Sequence, residues 1–222
     1  MPLKIFLSAL VLGGAMLTGA QPPESFPSQL RPIQARDAAL ALALAGSPDN
    51  LSHYTQCDFS PFKVEQSSEI DRPSRRTVWT AKGDEKIEVA HSIGLHIAYE
   101  GIPFVTFKAE KLGTAFAASK QTLIDSVQHA ASRPEMEAAT PWPSAMSGFE
   151  VYGANRKELA GGVLSIYLLF RDADQTVVTL YLVNMQFDAQ KFRTMEEYRA
   201  LRDRFLNVYT TCAGAQSRGP RQ

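Results

Sequence analysis

The most regular pattern in the chain is a pair of nearly continuous apolar segments, GGVLSIYLLF and TVVTLYLVNM, joined by the polar stretch RDADQ. Their β-branched and aromatic residues favour strands, and the short polar link predicts a hairpin. Because apolar side chains occupy both alternating sets of positions, both strands are expected to be covered on both faces, as central strands are. A further strand, GFEVYGA, precedes this hairpin.

Four more strands are predicted upstream. The segments RRTVWTA and KIEVAHS flank KGDE and predict a hairpin over Arg75–Ser92. The segments GLHIAYE and IPFVTFKAE flank Gly101 and predict a second strand pair. The stretch Asn50–Arg75 contains Pro61 and Pro73 and has no clear period, so we expect irregular structure there.

Three segments have the composition or spacing of helices. Over Thr114–Ser132, the apolar residues that share one face are Phe116, Leu123, Ile124, Val127 and Ala131. The segment TMEEYRALRDRFLNVYTTC opens with the capping-box spacing of Thr194 and Glu197, and its apolar stripe consists of Tyr198, Leu201, Phe205, Val208, Tyr209 and Cys212. The segment IQARDAALALALAGSPDN has leucines that also alternate as in a strand, but its alanine content favours a helix ending at Gly46.

The order of these elements is helix, four strands, helix, three strands, helix. It predicts an α+β fold, in which an antiparallel β-sheet is flanked by helices in an α/β/α sandwich-like arrangement. We expect residues 33–213 to form this single domain. The polar residues 214–222 are expected to be a disordered tail.

The N-terminal segment has the features of a secretory signal. Lys4 precedes the apolar run Ile5–Met16, and Thr18 and Ala20 are small residues at the −3 and −1 positions of a cleavage site after Ala20. The apolar stretch 5–20 is shorter than the roughly 20 residues of a spanning helix, and Ala20 replaces the cysteine of a lipoprotein signal. The sequence therefore predicts a bacterial periplasmic or secreted protein without a stable membrane anchor, in which residues 21–32 form a flexible leader.

The charges and cysteines narrow the class of protein. The chain has 23 basic and 23 acidic residues, so it lacks the basic excess typical of nucleic-acid binding. An even pair of cysteines in an exported protein favours a disulfide, here Cys57–Cys212. The alternative is a thiol nucleophile or metal ligand, because His53 lies four residues before Cys57, but that segment does not have the pattern of a helix.

The sequence has no G-x-S-x-G elbow, P-loop or H-E-x-x-H motif. SPFK, Ser60–Lys63, matches S-x-x-K, but Pro61 opposes the helical turn that this motif needs and its partner motifs are missing. We therefore predict no catalytic residues, metal site or cofactor.

His91 and His96 are five residues apart, so one straight strand would place them on opposite faces. His129 lies four residues after Asp125 on a predicted helix, which also fits a solvated pair. Asp172-Ala-Asp174 resembles the start of a calcium loop, but Thr176 and Val177 do not continue that pattern, so we interpret it as a hairpin tip.

Two features are candidates for partner binding. Trp142 lies between Pro141 and Pro143, and a large ring on a stiffened loop is typical of an interface anchor; it could equally cover the sheet as a lid. Arg72, Arg75 and Arg76 form a basic cluster that could meet an anionic ligand, or be a solvated loop.

The segment GFEVYGANRKELAGGVLSIYLLFRDADQTVVTLYLVNM, followed by TMEEYRALRDRFLNVY, resembles the PsbP-like α/β/α sandwich in its succession of elements. The resemblance covers about 130 residues and implies a binding or assembly protein without a shared active site, so it assigns no residue a role. It does not account for the N-terminal helix or for Cys57 and Cys212.

Our first hypothesis is an exported, non-enzymatic binding module with an unknown protein or small-molecule partner in the cell envelope. An inhibitor or immunity-type protein is one alternative. The other is a hydrolase that pairs His91, His96 or His129 with a carboxylate.

Overall fold

The computed structural model describes residues 31–33, 51, 54–55, 57–70, 72–139, 149–184 and 191–216. This part of the chain forms nine strands and two α-helices. In chain order they are β1 (Arg31–Ile33), β2 (Lys63–Ile70), β3 (Ser74–Thr80), β4 (Gly83–Tyr99), β5 (Ile102–Leu112), α1 (Phe116–Ala131), β6 (Met136–Ala138), β7 (Glu150–Arg156), β8 (Gly162–Arg171), β9 (Thr176–Asn184) and α2 (Met195–Gln216).

The strands form one antiparallel sheet in the order β1-β2-β4-β5-β9-β8-β7-β6, and β3 also pairs with β4. β2 and β3 follow each other along the same edge of the long strand β4, since Ile70 pairs with Ser92 and Ser74 pairs with Val89. The pairing of β4 with β5 begins at Val89. Residues 83–88 of β4 therefore pair with β3 alone, and we call residues 74–89 the β3–β4 ribbon.

Two helices pack on opposite faces of this sheet, which confirms the α+β fold. On β9, Val178, Leu180 and Leu182 belong to the cluster around α2, whereas Val177 belongs to the cluster around α1. Adjacent residues of a strand point to opposite faces, so the two clusters lie on the two sides of the sheet. β8 and β9 are covered on both faces, as their continuous apolar patterns predict.

The prediction of two separate strands between residues 86 and 99 is wrong. KIEVAHS and GLHIAY, up to Tyr99, belong to the single strand β4, which is interrupted by a register shift between Val89 and His91 rather than by a turn. Ile87 and Val89 pack with α1, but Ile93 packs with α2, although all three occupy odd positions. An extra residue in a bulge reverses the face that later side chains take.

Two strands lie in segments that were expected to be irregular. β2 has the polar sequence KVEQSSEI, which shows no apolar alternation, and β6 is a strand of three residues in the predicted loop after α1. The termini of the domain also differ from the expected bounds. β1 includes Arg31 and Pro32 from the predicted leader, and α2 continues to Gln216 beyond position 213.

The two helices agree with their predicted segments. α1 ends at Ala131, one residue before Ser132, and α2 starts after Thr194, whose Oγ1 accepts a hydrogen bond of 3.2 Å from the backbone N–H of Glu197. Neither of these described helices is long and apolar enough to cross a membrane. The predicted signal peptide, the N-terminal helix beyond Ile33, Trp142 and the last six residues lie outside the described part of the chain.

The disulfide joins the segment before β2 to α2. Cys57 and Cys212 are bonded, with their Cα atoms 5.7 Å apart, which is the pairing that the sequence predicts. Beside it, the Phe59 ring is stacked with the rings of Phe205 and Tyr209 at centroid distances of 6.1 and 6.2 Å. The covalent link and this aromatic cluster hold the same segment against the same helix.

Candidate functional site

The three arginines of the predicted basic cluster do not share one surface. Arg72 is exposed in the link between β2 and β3. Arg75 is exposed on β3 and its Nη2 lies 3.2 Å from Glu88. Arg76, the next residue, points to the opposite face of the strand and donates a hydrogen bond of 2.9 Å to Glu110.

Arg76 belongs to a buried charge cluster. The Glu110 side chain is fully buried and contacts the Arg76 guanidinium at 2.9 Å and Lys108 Nζ at 2.8 Å. Burial by itself favours the neutral carboxyl, but the two cations outweigh it and lower the pKa of Glu110. A buried carboxylate requires such partners, so we assign Arg76 a structural role in the sheet.

Two of the three candidate histidines, His91 and His96, lie on β4, and the third lies on α1. The pairing of β4 with β5 is regular from His91 to His96, so their side chains point to opposite faces. Burial lowers the pKa of His96 and Glu65 opposes this shift. His129 lies on α1, where its ring contacts Trp79. Within the described ranges, no cluster of three His, Cys, Asp or Glu side chains could hold a metal ion.

The two aspartates of the β8–β9 link form a short 3₁₀ turn, as the hairpin interpretation predicts. Both serve as structural anchors. Asp172 accepts a hydrogen bond of 2.8 Å from Lys120 of α1, and Asp174 accepts one of 2.7 Å from Tyr54. Burial and the contact with Asp174 raise the pKa of Tyr54, so this hydroxyl stays protonated as a donor.

A buried network of hydroxyl groups connects α2 to the sheet. Tyr198 donates a hydrogen bond to Ser165, and both Ser165 and Tyr167 donate to the Asn155 amide oxygen, at 2.6 and 2.9 Å. Tyr198 and Ser165 are completely buried, and burial raises the pKa of both tyrosines. The network therefore satisfies buried polar groups rather than presenting a nucleophile to a ligand.

The feature that differs most from an ordinary solvated surface is Trp79 on β3. Its side chain is 51% exposed, and it is the one large apolar side chain that is exposed in the described part of the chain. The Trp79 ring is nevertheless held in place. His129 meets it edge-on at a centroid distance of 4.8 Å, and the Arg133 guanidinium carbon lies over it at 4.7 Å.

Trp79 belongs to the outer positions of the β3–β4 ribbon, but its ring reaches His129 of α1, the helix that packs on the inner side. The inner side carries Val78, Ile87 and Val89, which pack against α1, and Glu85, which accepts hydrogen bonds from Thr80 and from Thr122 of α1. The outer side carries three cross-strand pairs, which are Arg75 with Glu88, Thr77 with Lys86, and Trp79 with Asp84. We call these six residues, together with Arg133, the ribbon face.

A groove of about 620 Å³ adjoins the ribbon face at the base of the ribbon. It is lined by Pro73, Ser74, Arg75, Glu88, Val89, Ala90, Gly113 and Thr114. Arg75 and Glu88 belong to both the groove and the ribbon face. Trp79 is four strand residues from Arg75, a Cα separation of about 13 Å, so the ribbon face extends from a groove at one end to an exposed indole at the other.

Trp79 is a candidate that the sequence patterns could have singled out but did not. Side chains alternate between the two faces of a strand, and in RRTVWTA the side chain of Val78 packs inward. Trp79 therefore shares the outward-facing positions with Arg75 and Thr77. A tryptophan among polar residues on the outer set of a strand indicates an exposed ring. The partner-binding role predicted for Trp142 is not tested, because that residue lies outside the described part of the chain.

Comparisons with protein-family models, with curated proteins and with solved structures find no match for this chain. The resemblance to the PsbP-like sandwich therefore stays a prediction. Function has to be inferred from the chain's own residues.

Proposed function

We propose that this protein is a non-enzymatic interaction module and that the ribbon face is its partner-binding surface. The observation that carries the proposal is the exposed but restrained ring of Trp79. Tryptophan is enriched among the residues that contribute most to protein interfaces, because a large ring removes much surface from water. A single exposed apolar residue is ordinary, so the restraint of the ring by His129 and Arg133 is needed to support the proposal.

The restraint lowers the cost of binding. An interface side chain that loses its freedom on association costs about 0.5–1.5 kcal/mol. The Trp79 ring already contacts His129 and Arg133 in the isolated chain, so part of this ordering precedes binding. The ribbon itself is fixed to α1 through its inner side, which gives the partner a rigid surface.

A buried carboxylate and a buried hydroxyl, groups of the kind that a hydrolase would use, have structural partners. Glu110 is buried between Arg76 and Lys108, and Ser165 is buried beneath Tyr198. Each of these groups holds a neighbouring element in place. This supports a binding function over the hydrolase hypothesis.

We place this function in the bacterial cell envelope or outside the cell. The proposed signal peptide with cleavage after Ala20 supports export, and the Cys57–Cys212 bond is of the kind that persists in an oxidising compartment. The partner would be a protein of that compartment.

The test is crosslinking capture from the envelope fraction of the producing cells, with three exported variants compared with wild type. We expect Trp79→Ala to lose the captured partner and Trp79→Phe to retain part of it, since phenylalanine keeps a ring. Arg199→Ala is the control, because Arg199 is exposed on α2, outside the ribbon face. Circular dichroism would verify that each variant is folded. Equal capture by wild type and Trp79→Ala would show that the ribbon face is not the binding surface.

A further inference from the structure

We propose that the partner presents a carboxylate to Arg133 and an apolar side chain to Trp79, and is therefore an acidic segment of another protein. This inference depends on the proposed function, because it names the chemistry that the ribbon face recognises. It adds a role for Arg133, which the sequence patterns did not single out.

The Arg133 guanidinium has the position of a carboxylate receptor. It lies over the exposed Trp79 ring at 4.7 Å, just beyond the C-terminal end of α1. Among the described residues it makes no ion pair. A guanidinium that contacts a ring through its face keeps its N–H groups for a planar acceptor, and the fork of donors matches a carboxylate.

The other charges of the ribbon face balance one another. The exposed side chains of Lys82, in the β3–β4 turn, and Lys86, opposite Thr77, make no ion pair within the described part of the chain, and neither does Asp84 opposite Trp79. Within the ribbon face itself, Lys86 and Asp84 are one charge of each sign. Arg75 and Glu88 compensate each other at 3.2 Å. Arg133 therefore gives the ribbon face an excess of one positive charge, and complementarity of charge selects partners.

The Trp79 ring requires that the partner also present an apolar side chain. A carboxylate alone would bind an exposed arginine weakly in water, as surface ion pairs do. When an aliphatic or aromatic side chain of the partner covers the Trp79 indole, apolar surface of both is removed from water. This burial strengthens the neighbouring pair of Arg133 with the carboxylate. A segment in which acidic and apolar residues are adjacent satisfies both groups.

A peptide titration tests the chemistry directly. Trp79 and Trp142 are the two tryptophans of the chain, so Trp142→Phe leaves Trp79 as the one fluorescent indole. The probes are three eight-residue peptides that alternate leucine with glutamate, glutamine or lysine. We expect the Glu-Leu peptide to change Trp79 fluorescence and to bind more weakly as salt is raised. The Gln-Leu peptide should bind at least about tenfold more weakly, the difference of one charge-assisted contact, and the Lys-Leu peptide least.

Variants at position 133 separate recognition from support of the ring. In the same background, Arg133→Gln should weaken the Glu-Leu peptide about tenfold and bring it to the level of the Gln-Leu peptide, while Arg133→Lys keeps the charge and recovers part of the affinity. Arg199→Gln, the same change on exposed α2, should have no effect. Equal binding of the Glu-Leu and Gln-Leu peptides, absence of binding up to about 1 mM, or indifference to Arg133→Gln would overturn the inference.

The two proposals fail in different ways. If the partner captured by wild type is lost with Trp79→Ala but kept with Arg133→Gln, the ribbon face binds a partner that is not acidic. If capture is unchanged with Trp79→Ala, the binding surface itself is wrong.

Discussion

Replacing Arg76 by methionine should destabilise the protein far more than the same replacement of its neighbour Arg75. Arg76 contacts Glu110 at 2.9 Å, and the Glu110 side chain is fully buried. Removing one partner of a buried charge pair costs about 3–5 kcal/mol, and since Lys108 remains at 2.8 Å, we expect about 3 kcal/mol. In the Arg75–Glu88 pair both side chains are exposed, and such pairs contribute about 0–1 kcal/mol to the free energy of unfolding.

The assay is equilibrium unfolding in urea at pH 7, followed by far-ultraviolet circular dichroism with the disulfide intact. The two arginine variants are matched, because they change adjacent residues of one strand by the same substitution. Similar unfolding free energies for Arg75→Met and Arg76→Met would refute the structural role of the buried cluster, whatever their absolute values.

The pH dependence gives a second, independent check. The pKa of Glu110 in the folded protein is below its ordinary value of 4.5, so its stabilisation is fully present above that value and is lost as the pH falls through the folded pKa. In Arg76→Met, only Lys108 remains to oppose the effect of burial, which raises the pKa of Glu110. This pKa should therefore be higher in the variant than in wild type. The difference in stability between wild type and Arg76→Met should therefore shrink as the pH is lowered from 7 towards about 4. A difference that grows would contradict the expected sign.

Three further predictions concern stability in the same urea assay. Changing Cys57 and Cys212 together to serine should lower the unfolding free energy by up to about 5 kcal/mol, because the bond closes a loop of 155 residues; a loss below about 1 kcal/mol would show that packing alone holds this segment. Gly153→Ala should cost about 1–3 kcal/mol, since its Cβ would lie 2.8 Å from the Tyr167 ring, whereas Gly113→Ala meets no atom within 4 Å and should be neutral; equal effects would contradict this reasoning. Thr194→Ala should cost about 1 kcal/mol through the lost cap of α2, and Thr194→Ser should restore it; an unchanged midpoint for the alanine variant would argue against the cap.

Much of the fold could be predicted where one residue period continues over a long segment. α2 has an apolar stripe through Tyr198, Phe205 and Tyr209, and all three are buried. β8 and β9 are apolar on both position sets and are covered by a helix cluster on each side. These elements bury enough surface that their patterns specify them without knowledge of their neighbours.

The elements that were missed or divided depend on pairing with distant strands. β2 has a polar sequence, but its backbone groups pair with β4, and a partner strand provides that stabilisation regardless of side-chain period. The bulge after Val89 leaves no turn signal, because an extra residue needs only a neighbouring strand that accommodates it.

Local periodicity or residue count specifies the antiparallel α+β class, the helices α1 and α2, the β8–β9 hairpin and the pairing of Cys57 with Cys212, so these could be predicted from the sequence. The sequence did not reveal which of two adjacent arginines contacts the buried Glu110, or that Trp79 lies exposed beside Arg133. The physical reason is that burial is a property of assembled elements. β3 presents one face to α1 and one to water, and α1 brings Arg133 to that strand from 54 residues away.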